Sequence, residues 1–594
     1  MILDHGVIGN GSLIAMIHPN TSIDWLCLPR FDSPSIFGRI LDDNKGGHWR
    51  FLSAGKELKG KMKYVRNTNV LVTRFKDGES EWELFDFAPR IPAGLTQKAP
   101  LRVVRFLRPI KGKPRLTVDF NPRPDYGRVE PTMIPIDHGI LVDGGPVPLT
   151  LHSNVPAPYI GADRDFVLDR PRYFVLSCDR GVNPIHLDEV NRDLDLTIAG
   201  WRQWVQGSYL PNFADTEVIR SALCLKLHAY NETGATIAAA TTSIPEAIGE
   251  PRTWDYRFCW LRDSAFTVEA LRRLAHFQEG RHFMQFILDV AEGGPLQPLY
   301  GIGGERLLTE YELDHLDGFE GTKPVRIGNQ ASEQLQTDLM GEVVLCLRTL
   351  LTDARVELPD PMAWMPLVER MVQESVDAFD VPDLGIWEYR GGAKLHTFSR
   401  AMCWAAAHHG AAIASHFGRG EQTSAWKAQA DRMRERILNE GYSEELGMFT
   451  QAFGDTFADA ANLLLPAIGL IDARDRRFIS TLNAYRKILV HNDGVMRYVH
   501  DDDFGSPKST FTICSFWWIE SLALAGFLDE AIETFHRVAS FANPLGLFSE
   551  DVDLETGRLL GNYPQAYTHV GLINAATTIG TLLRARENRL HAWT

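Results

Sequence analysis

Residues 216–230 read TEVIRSALCLKLHAY, and at this point the chain changes its period. Apolar residues here recur every three to four positions, the spacing of a helix with one buried face. Upstream the spacing differs. Runs at 12–17, 22–27, 69–75, 81–87, 101–107, 115–120 and 172–176 either alternate or form short apolar blocks. Pro19-Asn20, Asp77-Gly78 and Gly144-Gly145-Pro146 separate such runs, which predicts an antiparallel sandwich. Downstream, helices are predicted at 217–230, 264–277, 332–351, 365–379, 397–417, 422–438, 457–470, 476–489, 510–525, 528–541 and 566–586. The expected fold class is multidomain, β then α: a β-sandwich over 1–186, a helical linker over 187–215, and a closed toroid of helix pairs over 216–594. No clear internal repeat is visible, which argues against a solenoid.

Composition narrows the function. A chain of 594 residues exceeds one core. At 44% hydrophobic and 23% charged it reads as an ordinary soluble globular protein. A net charge of -15 disfavours duplex nucleic acid and anionic membranes, and suits a neutral polar small molecule or oligosaccharide. The start, MILDHGVIGNGS, has no basic segment before its apolar residues, and no run near 18 apolar residues occurs. Seven scattered cysteines without C-x-x-C spacing predict reduced thiols in the cytoplasm, with neither a disulfide framework nor a zinc site. Neither G-x-x-x-x-G-K-[ST] nor G-x-S-x-G is present.

Two glutamates stand beside aromatic residues in the helical half: Glu388 in W-E-Y (387–389) and Glu550 in L-F-S-E-D (547–551). Two carboxyls converging on one pocket are the minimal equipment for cutting a glycosidic bond. One stays protonated to serve the leaving oxygen, and the other stays ionised to activate water or attack. Desolvation between Trp387 and Tyr389 would raise the pKa of Glu388, as a general acid needs. The competing reading is an exposed loop glutamate.

The run WDYRFCWLRD (254–263) offers Tyr256 and Trp260 for stacking on a pyranose, and Arg262 with Asp263 for vicinal hydroxyls. The alternative is a buried ion pair, with Asp263 near the N-cap of a helix starting at Ser264. Glu550, Asp551, Asp553 and Glu555 could form a calcium loop, but Val552 and Leu554 interrupt the spacing. Asp501-Asp502-Asp503 reads as a solvated loop, and His408-His409 as packing or capping in a helix.

Together these segments resemble glycoside hydrolase family 15, the glucoamylase–glucodextranase–trehalase family. The likeness spans nearly the whole chain. It rests on the opening IGNGSLIAMIHPNTSIDWLCLPRFDSP, then WLRD, KPVRIGNQA, GIWEYR, DGVMRY and LFSED in order. The resemblance implies a β-supersandwich, a helical linker and an (α/α)6 barrel. It implies that Glu388 is the general acid and Glu550 the general base, with Tyr256 near the developing oxocarbenium ion. Arg262 and Asp263 would hold the hydroxyls of the non-reducing glucose. Trp387 would line the same subsite, Arg497 would contact sugar beside it, and Lys323 and Arg326 would belong to the closing wall. Glucoamylases often carry a second acid directly after the general acid, whereas this chain has Tyr389.

The implied reaction is inverting hydrolysis of an α-glucoside with release of β-glucose. It needs the carboxyls roughly 6.5–9.5 Å apart, and neither metal nor organic cofactor. The favoured substrate is α,α-trehalose, since neither an export signal nor a starch-binding module is evident. The alternatives are a glucoamylase-type or isomaltose-type glucohydrolase on short α-glucans, a phosphorylase in which phosphate replaces base and water, and a non-catalytic sugar-binding protein.

Overall fold

The computed structural model describes residues 3–94, 96–161, 164–180 and 183–591. Two eight-stranded sheets form the N-terminal part. One runs Gly6–Gly9, Ile14–Ile17, Ile23–Cys27, His48–Ser53, Arg115–Asn121 and Phe166–Val167, with two short strands at its margin. The other runs Thr132–Ile136, Gly139–Asp143, Leu149–Ser153, Arg172–Ser177, Arg102–Lys111, Ser80–Phe87, Leu71–Asp77 and Lys61–Tyr64. All seven predicted runs are strands. Asp77-Gly78 makes the tight turn expected of it: Asp77 pairs with Ser80, and Gly78 takes φ +56°.

The apolar blocks have a physical reason. Leu84, Val103, Leu107, Phe174 and Leu176 point into the core between the sheets, against Ile8, Trp49 and Phe51. Their neighbours Phe85, Val104, Phe106, Tyr173 and Val175 belong to the core shared with the helices. A strand covered on both faces loses its alternation.

The helices are α1 (Leu187–Gln206), α2 (Asp215–His228), α3 (Leu261–Arg273), α4 (Gln278–Glu292), α5 (Leu339–Leu351), α6 (Met365–Ala378), α7 (Thr397–His416), α8 (Gly420–Glu440), α9 (Arg476–Ile488), α10 (Thr512–Ala525), α11 (Leu528–Ala539) and α12 (Ala566–His591). None is long and apolar enough to cross a membrane, among the described residues. After α1 they build an (α/α)6 barrel. An inner ring closes through α3, α5, α7, the 3-10 turn Ala460–Leu464, α10, α12 and back to α3. Inner helices lack a polar face: every residue of α10 but Leu524 is buried. Outer helices are amphipathic, and α11 buries Ala531, Thr534, Phe535 and Val538 on one stripe. The inner helices meet closely. A Cβ on Gly341 of α5 would lie 2.0 Å from the Met402 carbonyl oxygen of α7.

Two helix expectations are corrected. The 457–470 segment is only the turn Ala460–Leu464, because Pro466 supplies no amide and Gly469 takes φ +86°. Helix α4 was not predicted. Its Gly280 is a poor helix former, but it fits against Leu350 and Val268 with no room for a side chain.

The sandwich holds the loop before α3 in place. Trp25 Nε1 donates to the Ala240 carbonyl at 2.7 Å. Arg257 is fully buried and forks onto Asp255 at 2.8 and 2.7 Å, while reaching Ser33 O and the Tyr126 hydroxyl, each at 2.8 Å. Tyr256 stands between that acid and that arginine in the chain.

Candidate active site

The starts of the inner helices gather at one end of the barrel. Trp260, Arg262 and Asp263 open α3, and Gln336 and Asp338 precede α5. Asp459 precedes the 460–464 turn, Phe511 precedes α10, and Gln565 and Tyr567 flank the start of α12. Helix N-termini carry partial positive charge, so this end accommodates many carboxyls. Two adjoining chambers lie there. The inner one is lined by Trp260, Arg262, Asp263, Phe511, Gln565 and Tyr567, among others. The outer one is lined by Glu246, Arg252, Trp254, Arg390, Asp502 and Asp503, among others. Tyr256, Trp387, Glu388 and Arg497 face both.

Glu388 sits on a tight turn, where its amide donates to Gly385 O at 3.1 Å. Its φ is +59°, a left-handed conformation that only a surrounding structure sustains for a non-glycine residue. The carboxylate is partly open, with its side chain 21% exposed, which is neither the buried nor the freely exposed extreme. Three donors meet one oxygen, Oε1: Trp260 Nε1 at 2.6 Å, Arg262 Nη2 at 3.1 Å and Gln336 Nε2 at 3.3 Å. Trp387 Nε1 donates to Asp459 at 2.8 Å, which fixes that indole at the junction of the chambers.

Glu550 is fully buried. The Tyr256 hydroxyl donates to its Oε1 at 2.7 Å and the Asn562 amide to its Oε2 at 3.3 Å. A Cβ on Gly561 would lie 2.7 Å from Glu550 Oε2 and 3.1 Å from Asp551 Oδ2, so only glycine fits beneath the two carboxyls. Burial, and then the charge of Glu246, push Glu550 up to about 8. Burial and the charge of Glu550 raise Asp551 as well. Arg497 is the cation of this cluster and pairs with Glu246. Hydrogen bonding opposes that push unequally on the two carboxyls. Both oxygens of Glu550 have donors, whereas Asp551 receives Ser509 on Oδ1 and leaves Oδ2 without a partner. Donors favour the ionised form, so they oppose the upward push on Glu550 more than that on Asp551, and the two carboxyls titrate as a pair.

Arg262 and Asp263 pair as expected at a helix start, but α3 begins at Leu261 with Trp260 as its N-cap, so Asp263 lies inside the first turn instead of near the cap. They are buried in the first turn of α3, and they line the inner chamber. Arg262 donates to Gln336 Oε1 at 3.0 Å and lies 3.4 Å from Asp263 and 3.7 Å from Asp338. Burial lifts Asp263 to about 6 against the pull of Arg262.

Two expected wall residues lie elsewhere. Lys323 is exposed and caps the Asp314 carbonyl at 3.1 Å, outside both chambers. Arg326 lies one layer back, its guanidinium 4.7 Å from the centre of the Trp254 ring and its Nη1 on Pro251 O at 2.7 Å. The Asp501–Asp503 run is also corrected. Asp502 is taken up by the Arg252 fork at 2.9 and 2.5 Å, and Asp503 accepts the amides of Arg390 and Gly391 at 2.6 and 3.1 Å. His408 stacks on Trp404 at 4.7 Å, as a packing residue.

Glu246, Arg252, Gln336, Asp459 and Tyr567 were not singled out from sequence. Asp459 had a local signal, as an N-cap before an apolar run. The other four acquire their places only through the ring closure.

Residues 212–577 match the family model described as "Glycosyl hydrolases family 15", and residues 2–164 match "Trehalase-like, N-terminal". A trehalase of Thermoplasma volcanium is 33% identical over 99% of this chain and 95% of its own. A trehalase of Mycobacterium tuberculosis is 34% identical over 99% of this chain and 90% of its own. The fold is similar to a crystal structure of a bacterial glucoamylase complexed with acarbose, with a TM-score of 0.70 at 14% identity over 98% of this chain and 94% of that one.

Proposed function

The chain belongs to glycosyl hydrolases family 15 and is a glycoside hydrolase, and we propose that it hydrolyses α,α-trehalose with inversion, releasing β-glucose from the ring held in the inner chamber. The observation that carries this reading is the position of Glu388. Its carboxyl stands where the two chambers meet, while Glu550 lies on the far side of Tyr256. A disaccharide spanning both chambers puts its bridging oxygen beside Glu388.

Glu388 acts as the general acid. With Oε1 held by Trp260, Arg262 and Gln336, Oε2 carries the proton to the leaving oxygen. Glu550 acts as the general base, drawing a proton from the water that attacks the anomeric carbon. The carboxyls are separated by the Trp260 and Tyr256 rings, whose centres are 5.5 Å apart. Inversion requires room for a water between the two carboxyls, a separation of roughly 6.5–9.5 Å. Arg262 and Asp263 orient the hydroxyls of the first glucose, and Trp387 and Arg497 flank the bond to be broken. The trehalase relatives, matched over nearly the full length, support trehalose over a longer α-glucan. The seven free cysteines, six of them buried, support a cytoplasmic location.

A proton NMR time course with trehalose, maltose and isomaltose tests the proposal. Equal amounts of β-glucose from the attacked ring and α-glucose from the leaving ring are the expected first products from trehalose. α-Glucose without β-glucose as the first product from trehalose removes Glu550 as base to water, and turnover of maltose or isomaltose alone moves the specificity while keeping the mechanism.

A further inference from the structure

Arg390 is two residues beyond Glu388, half-exposed, and takes no part in the chemistry described above. It nevertheless lines the outer chamber and ties together several of the segments around it. Its guanidinium forks onto Glu310, with Nη1–Oε1 3.0 Å and Nη2–Oε2 2.7 Å. Glu310 immediately precedes the strand Tyr311–Glu312, which pairs with Arg326–Ile327 in the long excursion between α4 and α5. The same guanidinium lies 4.6 Å from the centre of the Trp254 ring and 5.8 Å from that of Phe504. Its backbone amide donates to Asp503. Trp254 is thereby clasped between Arg390 and Arg326, and its edge meets Phe504 at 5.2 Å.

Four separate segments thus converge on one side chain: the acid turn, the 311–327 hairpin, the loop before α3 and the loop before α10. A bidentate arginine–carboxylate pair that also stacks on aromatic faces is geometrically specific and resists displacement more than a lone lysine contact. Arg390 itself is open to solvent and also lines the second chamber.

We propose that the Arg390–Glu310 pair is a strap across the outer end of the second chamber, which limits the leaving group to a single sugar ring. Arg390 and Glu310 are then specificity-determining residues. This rests on the placement of the two chambers around Glu388 given above. Tyr389 agrees with it. At the place where an acid often follows the general acid, this chain has a buried tyrosine whose hydroxyl is held by Gln451 at 2.7 Å. The polar contacts to the second ring fall instead to Glu246, Arg252 and the strap.

The test compares substrates that differ by one ring on the leaving side: trehalose against α-maltosyl α-glucoside, and maltose against maltotriose. The ratio of kcat/KM within each pair is measured for wild type, Arg390→Ala and Glu310→Ala, with Kd in a Glu388→Gln background as the second readout. Wild type should favour the shorter member. Either variant should raise the relative rate of the longer member about tenfold, the scale on which pocket contacts discriminate substrates. An unchanged ratio in both variants overturns the strap, including the case where all rates fall together because the acid turn is disturbed. A wild type that already takes both members equally also overturns it. Failure of wild type to cleave trehalose would sink the substrate reading alone, since the α-glucan pair still reads the strap.

Discussion

The Tyr256 hydroxyl donates to Glu550 Oε1 at 2.7 Å, from a ring that lines both chambers. Burial and the charge of Glu550 hold the phenol well above its ordinary range, so it stays a donor throughout the working pH. The bond orients the Glu550 carboxyl and favours its ionised form. Tyr256→Phe keeps the ring and removes the donor. A hydrogen bond to a charged group is worth about 1.5–3 kcal/mol, so kcat/KM should fall roughly 10–100-fold, with the loss mainly in kcat. Steady-state kinetics on trehalose decide this. A loss below twofold would leave Tyr256 as a wall residue only.

The two carboxyls should separate by leaving group. Glu388→Gln and Glu550→Gln should each lower trehalose hydrolysis by several orders of magnitude. α-Glucosyl fluoride needs no proton on departure. Glu388→Gln should therefore keep far more activity on the fluoride than on trehalose, whereas Glu550→Gln should lose both. Equal losses on the two substrates in Glu388→Gln would give the acid role to another group.

Much of this site was legible before its geometry. Glu388, Glu550, Tyr256, Arg262 and Asp263 sit in short aromatic–charged runs whose chemistry is local. Their convergence is not local, because it depends on the ring closing from α3 round to α12. Asp502 shows the limit. Three consecutive aspartates look solvated, and only the Arg252 fork, 250 residues away in sequence, makes one of them a wall. Arg326 shows the converse. A basic residue in a closing loop looks like a sugar contact, but its guanidinium is spent on Trp254 and the Thr253 carbonyl. Strands covered on both faces and the 460–464 turn, cut short at Pro466, were blurred for the same reason: their partners come from distant segments.

The Glu550–Asp551 pair should cost stability as pH rises. Glu550 moves from its ordinary 4.5 to about 8, because burial and Glu246 disfavour its charge. Between those values the folded state binds more protons than the unfolded state, so stability falls as pH rises through the window. Asp551→Asn and Glu550→Gln remove a group that must lose that proton. Each variant should gain in Tm relative to wild type between pH 5 and 8, by about 1 °C for each kcal/mol gained. The gain should shrink toward pH 4.5. Calorimetric scans across that range check it, and a gap that does not vary with pH would assign the cluster's proton elsewhere. Stabilisation on losing the proposed base is the expected trade between stability and activity.

Arg257 should be the most damaging single truncation outside the pocket. It is fully buried, forks onto Asp255, and ties the sandwich to the loop before α3 through Ser33 O and the Tyr126 hydroxyl. Asp255 also receives the Gly328 amide at 3.2 Å, so the same pair anchors the end of the 311–327 hairpin. Arg257→Met leaves Asp255 buried and uncompensated, which typically costs about 3–5 kcal/mol. The adjacent Tyr256 loses its anchor, so kcat should fall with Tm. The double variant Asp255→Asn/Arg257→Met removes the orphaned charge and should recover part of the stability. It should not recover the activity, because the link to the sandwich stays broken. Recovery of both would make Arg257 a partner for Asp255 and nothing more. Recovery of neither would place the loss in the Tyr126 and Ser33 contacts instead of the charge pair. Denaturant unfolding and trehalose kinetics on the two variants separate these outcomes.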